Sequence, residues 1–242
     1  RLGHFFRGIG FTVLEGYGLT ETTAAATVNQ LGSVRMGTVG QPLPGVTVRI
    51  ADDGEVLIRG PLLMRGYRNN ETATKEAIDA EGFLHTGDLG SLDDTGHLRI
   101  TGRKKELLVT AGGKNVAPAP LEYLIQAHPL VSQAMLIGDQ KPFVAALITI
   151  DPEAFPRWRD AAGKPADATV ADLVDDPDLR AEIQRAVDAA NATVSQAEAI
   201  KKFLILPKDF TVEGGELTPS LKVKRSLVLE RHAAAVEQIY GG

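Results

Sequence analysis

Lys222 stands in a basic turn, Leu217-Thr218-Pro219-Ser220-Leu221-Lys222-Val223-Lys224-Arg225, near one end of the chain. Near the other end an aromatic ring, a hydroxyl and a carboxylate stand together in Gly16-Tyr17-Gly18-Leu19-Thr20-Glu21. A lysine ammonium is a compact charge on a flexible stem, suited to an anion that is present for only part of a reaction. In the early segment Gly16 and Gly18 can let the backbone approach a ligand closely, and Tyr17 offers a stacking face. The Thr20 hydroxyl can reach a phosphate, and the Glu21 carboxylate can hold Mg²⁺. Such a set suits chemistry on an AMP-linked acid.

Two further segments stand between them. His85-Thr86-Gly87-Asp88 reads as the end of a strand that delivers a carboxylate able to accept two hydrogen bonds from a ribose diol. Ile100-Thr101-Gly102-Arg103-Lys104-Lys105-Glu106 follows and supplies a guanidinium that can fork onto a diol or a phosphate. Taken singly, each of these is an ordinary structural turn. Their order along one chain is what makes them informative.

The elements that must hold these residues change character along the sequence. From Gly37 to Ile100 the chain is rich in short β-like runs, Val46–Ile50, Glu55–Arg59 and His97–Ile100, separated by Asp53-Gly54 and Asp94-Thr95-Gly96 turns. Phe11–Leu14 also reads as a strand. A helix is expected over Glu71–Ile78 with Asn70 as its N-cap. After Gly102 the pattern becomes mixed, with strands at Leu107–Thr110 and Phe143–Ile150 and a proline-started helix from Pro118 to Gln126. Leu179, Ile183, Val187, Ala190, Val194 and Ala197 recur at helical spacing and predict one long amphipathic helix with a core-facing stripe. Trp158–Asp178, rich in Asp, Ala and Pro, reads as a surface insertion. The fold class expected is α+β, with a domain of residues 1–102 followed by one of residues 103–242.

Bulk composition narrows the function. Of 242 residues, 43% are hydrophobic and 24% charged, which is ordinary for a globular protein with a substantial core. The net charge of -5 argues against a nucleic-acid partner. The chain has no cysteine, which excludes disulfides, thiolate metal sites and a cysteine nucleophile, so any thiol in the chemistry comes from a substrate. No apolar run has the length of a membrane span and no signal-peptide pattern is present, so a cytoplasmic setting is expected. The chain reads as a piece of something longer.

The Tyr-Gly-Leu-Thr-Glu, Thr-Gly-Asp, Gly-Arg-x-Lys and late lysine segments, in this order, resemble the C-terminal portion of an acyl-adenylate-forming enzyme. That superfamily includes acyl-CoA synthetases, firefly luciferase and the adenylation domains of peptide synthetases. The resemblance covers essentially all 242 residues. Gly112-Gly113-Lys114-Asn115-Val116-Ala117-Pro118, and Ser220-Leu221-Lys222 in place of a Ser-Gly-Lys form, are similar to the AMP-forming long-chain fatty acyl-CoA synthetase branch.

The resemblance implies a β-rich subdomain of a large adenylation domain followed by a small mobile α+β domain. It implies that Tyr17 and Gly18 meet the adenine nucleotide, that Thr20 contacts the α-phosphate and that Glu21 sits near Mg²⁺. Asp88 and Arg103 would bind the ribose, and Lys105 would be the hinge. Lys222 would bridge the carboxylate and the α-phosphate, while Gly112 and Gly113 would wall the path taken by CoA. The expected substrates are a fatty acid, ATP and CoA, with peripheral membrane contact as a route for the lipid. No loop for the β- and γ-phosphates is present. The upstream part of the same polypeptide is expected to carry that loop and the acyl tunnel, and the piece alone is expected not to form acyl-AMP. Two alternatives stay open: an adenylation module that loads a carrier protein, and a non-catalytic module that binds nucleotide or acyl-CoA.

Overall fold

The computed structural model describes residues 2–241, which divide into two compact units between Lys105 and Glu106. The division falls a few residues after the boundary expected at Gly102.

The first unit begins with a short helix, α1 (Leu2–Gly8), and a small antiparallel sheet of β1 (Gly16–Gly18), β2 (Ala25–Val28) and β3 (Gln41–Pro42). A four-stranded antiparallel sheet follows in the order β4 (Thr47–Ile50), β5 (Glu55–Arg59), β6 (Leu84–Leu92) and β7 (Leu98–Arg103). Val56, Ile58 and Leu98 are fully buried with Ala26, so one small core serves both sheets of the unit. The helix α2 (Glu71–Ala77) starts where Asn70 Oδ1 accepts from the Ala73 amide at 3.0 Å, the expected cap. The strand expected at Phe11–Leu14 is not formed. Phe11 and Leu14 are exposed, and strand pairing begins only at Gly16.

The second unit contains a two-stranded β8 (Leu108–Val109) and β9 (Asn115–Val116) ribbon, then α3 (Pro118–Gln126). Its main sheet places β11 (Val144–Ile150) between antiparallel β10 (Val131–Ile137) and parallel β12 (Ile200–Ile205). Every residue of β11 is buried because both faces are covered, and its side chains alternate between them. Val144, Ala146, Ile148 and Ile150 join the core beneath α3 and α6 (Pro177–Asn191), whereas Ala145 and Leu147 join a second core with Val228 and Ile239. Those two residues come from α7 (Arg225–Arg231) and α8 (Ala233–Tyr240).

The amphipathic stripe is correct over Leu179, Ile183, Val187 and Ala190, all buried. The helix is shorter than expected, however, and Ala197 lies beyond it, exposed. Asn191 closes it by donating to the Ile200 carbonyl at 3.0 Å and accepting from the Ile200 amide at 2.8 Å, which turns the chain directly into β12. The expected surface insertion is also better ordered than its composition suggests. It holds α4 (Phe155–Ala161) and α5 (Val170–Leu173), Leu173 enters the core, and Lys164 pairs with Asp176, the N-cap of α6.

Candidate active site

An open cleft of about 800 Å³ in the first unit is lined by Tyr17, Gly18, Thr20, Glu21, Tyr67 and Arg103, among others. Its floor is the turn between β1 and β2, built by a residue just past the recognised segment. Thr22 is fully buried. Its hydroxyl accepts from the Leu19 amide at 2.8 Å and donates to the Ala24 carbonyl at 2.7 Å. Thr23 then adopts φ 63° and ψ -44°, a γ-turn geometry costly for a β-branched residue and held by its hydroxyl bond to the Leu62 carbonyl at 2.8 Å. Thr20 and Glu21 are thereby presented from a rigid turn.

Gly18 makes the close backbone approach expected of it, but to its own chain. A Cβ there would lie 2.0 Å from the Ala24 carbonyl oxygen, so the glycine is first required by the turn. Glu21 Oε1 accepts from the Tyr67 hydroxyl at 2.8 Å. Nothing in the sequence around Tyr67 marks that partnership, which depends on the fold bringing distant residues together. Among the described residues no group of three or more His, Cys, Asp or Glu side chains is arranged to hold a metal. A single carboxylate such as Glu21 still suits Mg²⁺, which usually keeps several waters and is shared with substrate phosphates.

Asp88 does not end its strand, as the sequence suggested, but lies within β6 at a bulge. Gly87 has φ +70°, and side chains replace the missing ladder bonds. The Thr86 hydroxyl donates to the Val56 carbonyl at 2.7 Å, and the Gly87 amide donates to Glu55 Oε1 at 2.9 Å. Asp88 is directly opposite Arg103 on β7, whose Nε lies 3.0 Å from Asp88 Oδ1. The Tyr17 hydroxyl donates to Asp88 Oδ2 at 2.5 Å. Burial and this hydrogen bond push the Tyr17 phenol well above its ordinary range. Asp88 is therefore a buried post behind Tyr17 and Arg103, which line the cleft while Asp88 does not, so the direct ribose contact expected of it is replaced by a bracing one.

The site depends on a carboxylate that motif reading missed. Glu55 is buried at the start of β5, near His85 Nδ1 at 3.2 Å, and accepts from Lys104 Nζ at 3.1 Å. Burial pushes its carboxyl upward, but the bonds from His85, the Gly87 amide and Lys104 outweigh that and hold it below the ordinary range. Glu55 opens the Val56-Leu57-Ile58 run directly after the Asp53-Gly54 turn, where a charged residue reads as part of the turn. Lys104 also pairs with Asp53 at 2.6 Å, so the basic run at 103–105 is partly consumed by internal partners.

Lys105, the expected hinge, is the last residue of the first unit and lines the same cleft, and the remaining expected residues lie in the second unit. Lys222 is exposed on the turn before α7. Gly112 and Gly113 form the exposed turn between β8 and β9, where the Gly113 amide donates to the Thr110 carbonyl at 2.8 Å and Gly113 has φ +78°.

The family model described as AMP-binding enzyme C-terminal domain matches residues 105–242, and that described as AMP-binding enzyme matches residues 1–68. The long-chain-fatty-acid–CoA ligase FadD15 of Mycobacterium tuberculosis is 58% identical over 240 residues, covering 99% of this chain and 40% of the relative. O-succinylbenzoate coenzyme A synthetase (MenE) from Bacillus subtilis, solved in complex with AMP, superposes with a TM-score of 0.68 at 26% identity, over 93% of this chain and 42% of that one. The adenylation domain of a carboxylate reductase from Mycobacterium chelonae has a TM-score of 0.74 at 24% identity, over 99% of this chain and 36% of that one, and shares the fold. The chain thus spans about 40% of the length of the FadD15 relatives it matches. It belongs to the family of AMP-binding, acyl-adenylate-forming enzymes.

Proposed function

We propose that the chain is the C-terminal part of an ATP-dependent long-chain fatty-acid:CoA ligase. The observation that carries the nucleotide half of this reading is the convergence of Tyr17, Thr20, Glu21 and Arg103 on one cleft, with Tyr17 and Arg103 braced by Asp88. The identity to FadD15 supports a long-chain fatty acid as the other substrate and CoA as the acceptor.

In the first half-reaction a carboxylate oxygen attacks the α-phosphorus of ATP, and the bond to the β-phosphate breaks to release pyrophosphate. Catalysis of such a step is chiefly positioning and charge stabilisation. Tyr17 stacks on adenine with its ring held by the bond to Asp88, Arg103 meets the ribose diol with the Asp88 carboxylate behind it, and Thr20 contacts the α-phosphate. Glu21 would hold Mg²⁺, which neutralises phosphate charge when bound. Lys222 supplies the movable charge at the carboxylate and α-phosphate. In the second half-reaction the sulfur of CoA attacks the acyl carbon and AMP leaves, a step with no need of a lysine at the phosphate. Rotation at Lys105 then serves both steps, with Gly112 and Gly113 walling the path of the CoA arm.

The test is pyrophosphate release by the full-length protein across acids of increasing chain length, with acyl-CoA formation scored against loading of a carrier protein. The reading expects pyrophosphate with long-chain acids and acyl-CoA as product. Release only with short or aromatic acids, or transfer to the carrier alone, would refute the assigned substrates.

A further inference from the structure

The turn that presents Lys222 is exposed, yet both ends of it are tied down. Leu217 pairs with Val223 as a β-bridge, the Lys224 amide donates to the Glu216 carbonyl at 2.7 Å, and buried Leu217 shares a core with Val228. The tip closes on itself: the Thr218 amide donates to the Lys222 carbonyl at 2.9 Å, and the Lys222 amide donates to the Thr218 hydroxyl at 3.0 Å. The position of Lys222 therefore follows the position of the turn's exit.

That exit is Arg225, the first residue of α7. Its Nη1 donates to Glu122 Oε1 at 2.8 Å and its Nη2 to the Leu136 carbonyl at 2.6 Å. Glu122 Oε1 also accepts from the Leu136 amide at 2.6 Å, so one β10 residue gives both backbone groups to the cluster. The side chains of Glu122 and Arg225 are only 13% and 23% exposed. Burying an ion pair is a poor way to gain stability compared with packing apolar groups, but a forked guanidinium fixes direction as well as distance.

We propose that Glu122 and Arg225 are positioning residues for Lys222, locking the exit of its turn to α3 and β10 so that the ammonium is delivered to one place. This rests on the reading that Lys222 acts in adenylation. A lysine at 225 keeps the charge but has no planar fork, and cannot hold Glu122 and the Leu136 carbonyl in the same geometry.

The experiment compares Arg225→Lys, Glu122→Gln and Lys222→Ala in the full-length protein. Pyrophosphate release and conversion of supplied acyl-AMP to acyl-CoA are measured separately. Misplacement of a catalytic group by about 1 Å can cost roughly 100-fold, so Arg225→Lys and Glu122→Gln should each lower kcat for adenylation by about 10- to 100-fold. KM for ATP and the rate from supplied acyl-AMP should stay within about twofold, well inside that margin. Equal losses in both half-reactions would make the pair merely structural and overturn the proposal. Unchanged adenylation in both variants, while Lys222→Ala abolishes it, would overturn the proposal alone. Unchanged adenylation in Lys222→Ala would overturn the lysine assignment and the proposal with it.

Discussion

The Tyr17 hydroxyl donates to Asp88 Oδ2 at 2.5 Å, joining the β1 turn to the bulge in β6 across 71 residues of sequence. The bond gives the ring of Tyr17 one orientation at the edge of the cleft.

Substitutions at Tyr17 should separate the ring from its hydroxyl. Base–aromatic stacking is worth about 1–3 kcal/mol, so Tyr17→Ala should weaken ATP binding by about 5- to 150-fold. Tyr17→Phe keeps the ring and should weaken binding much less. Titration calorimetry with the full-length protein reads both, and equal losses would mean that the hydroxyl, not the stack, matters.

Two glycines at the site should respond to alanine in different ways. Gly87→Ala meets no heavy atom within 4 Å and suffers only the φ of +70°, a cost of about 1–2 kcal/mol. Gly18→Ala would drive a Cβ to 2.0 Å from the Ala24 carbonyl oxygen. Thermal denaturation should show Gly18→Ala far more destabilised, and a reversed order would contradict the turn geometry.

Much of this architecture was legible in the sequence. The runs Glu55–Arg59 and Pro118–Gln126 were read with the boundaries found, because an Asp-Gly turn and paired prolines mark their starts. The stripe of α6 was legible to Ala190 but ran on too far, since the closing bonds between Asn191 and Ile200 leave no periodic trace. The order of the motifs gave the candidate site, but not the bulge at Gly87, the Tyr67–Glu21 bond or the burial of Glu55. Each of these arises from pairing between distant segments. The sequence-based reading of Phe11–Leu14 as a strand failed for the same reason, because propensity alone supplies no partner.

Glu55 should make stability depend on acid. Its carboxyl is held below the ordinary range, so the stabilisation it gives is present above the unfolded pKa and is lost as pH falls through the folded value. Glu55→Gln weakens the charged bond to Lys104 and should cost about 1–3 kcal/mol near pH 7. Denaturant unfolding should show the gap from wild type narrowing as pH drops below the ordinary glutamate range. A gap that widens in acid would contradict the assigned sign.

Lys105 tests rotation separately from charge. Proline fixes φ near -65° and removes a backbone donor, so Lys105→Pro should hold the hinge in one orientation and abolish one half-reaction while sparing the other. Lys105→Ala should be far milder. Alanine as harmful as proline, or proline without effect, would move the hinge elsewhere.

The most direct measurement on the account as a whole is the fate of the two half-reactions in Lys222→Ala of the full-length protein. Loss of one preorganised donor at a centre of developing charge typically costs about 10²–10³ in rate. Pyrophosphate release from ATP and a long-chain acid should therefore fall by at least that much, while supplied acyl-AMP is still converted to acyl-CoA at nearly the wild-type rate. Equal loss in both steps, or adenylation that survives the substitution, would contradict the role given to Lys222.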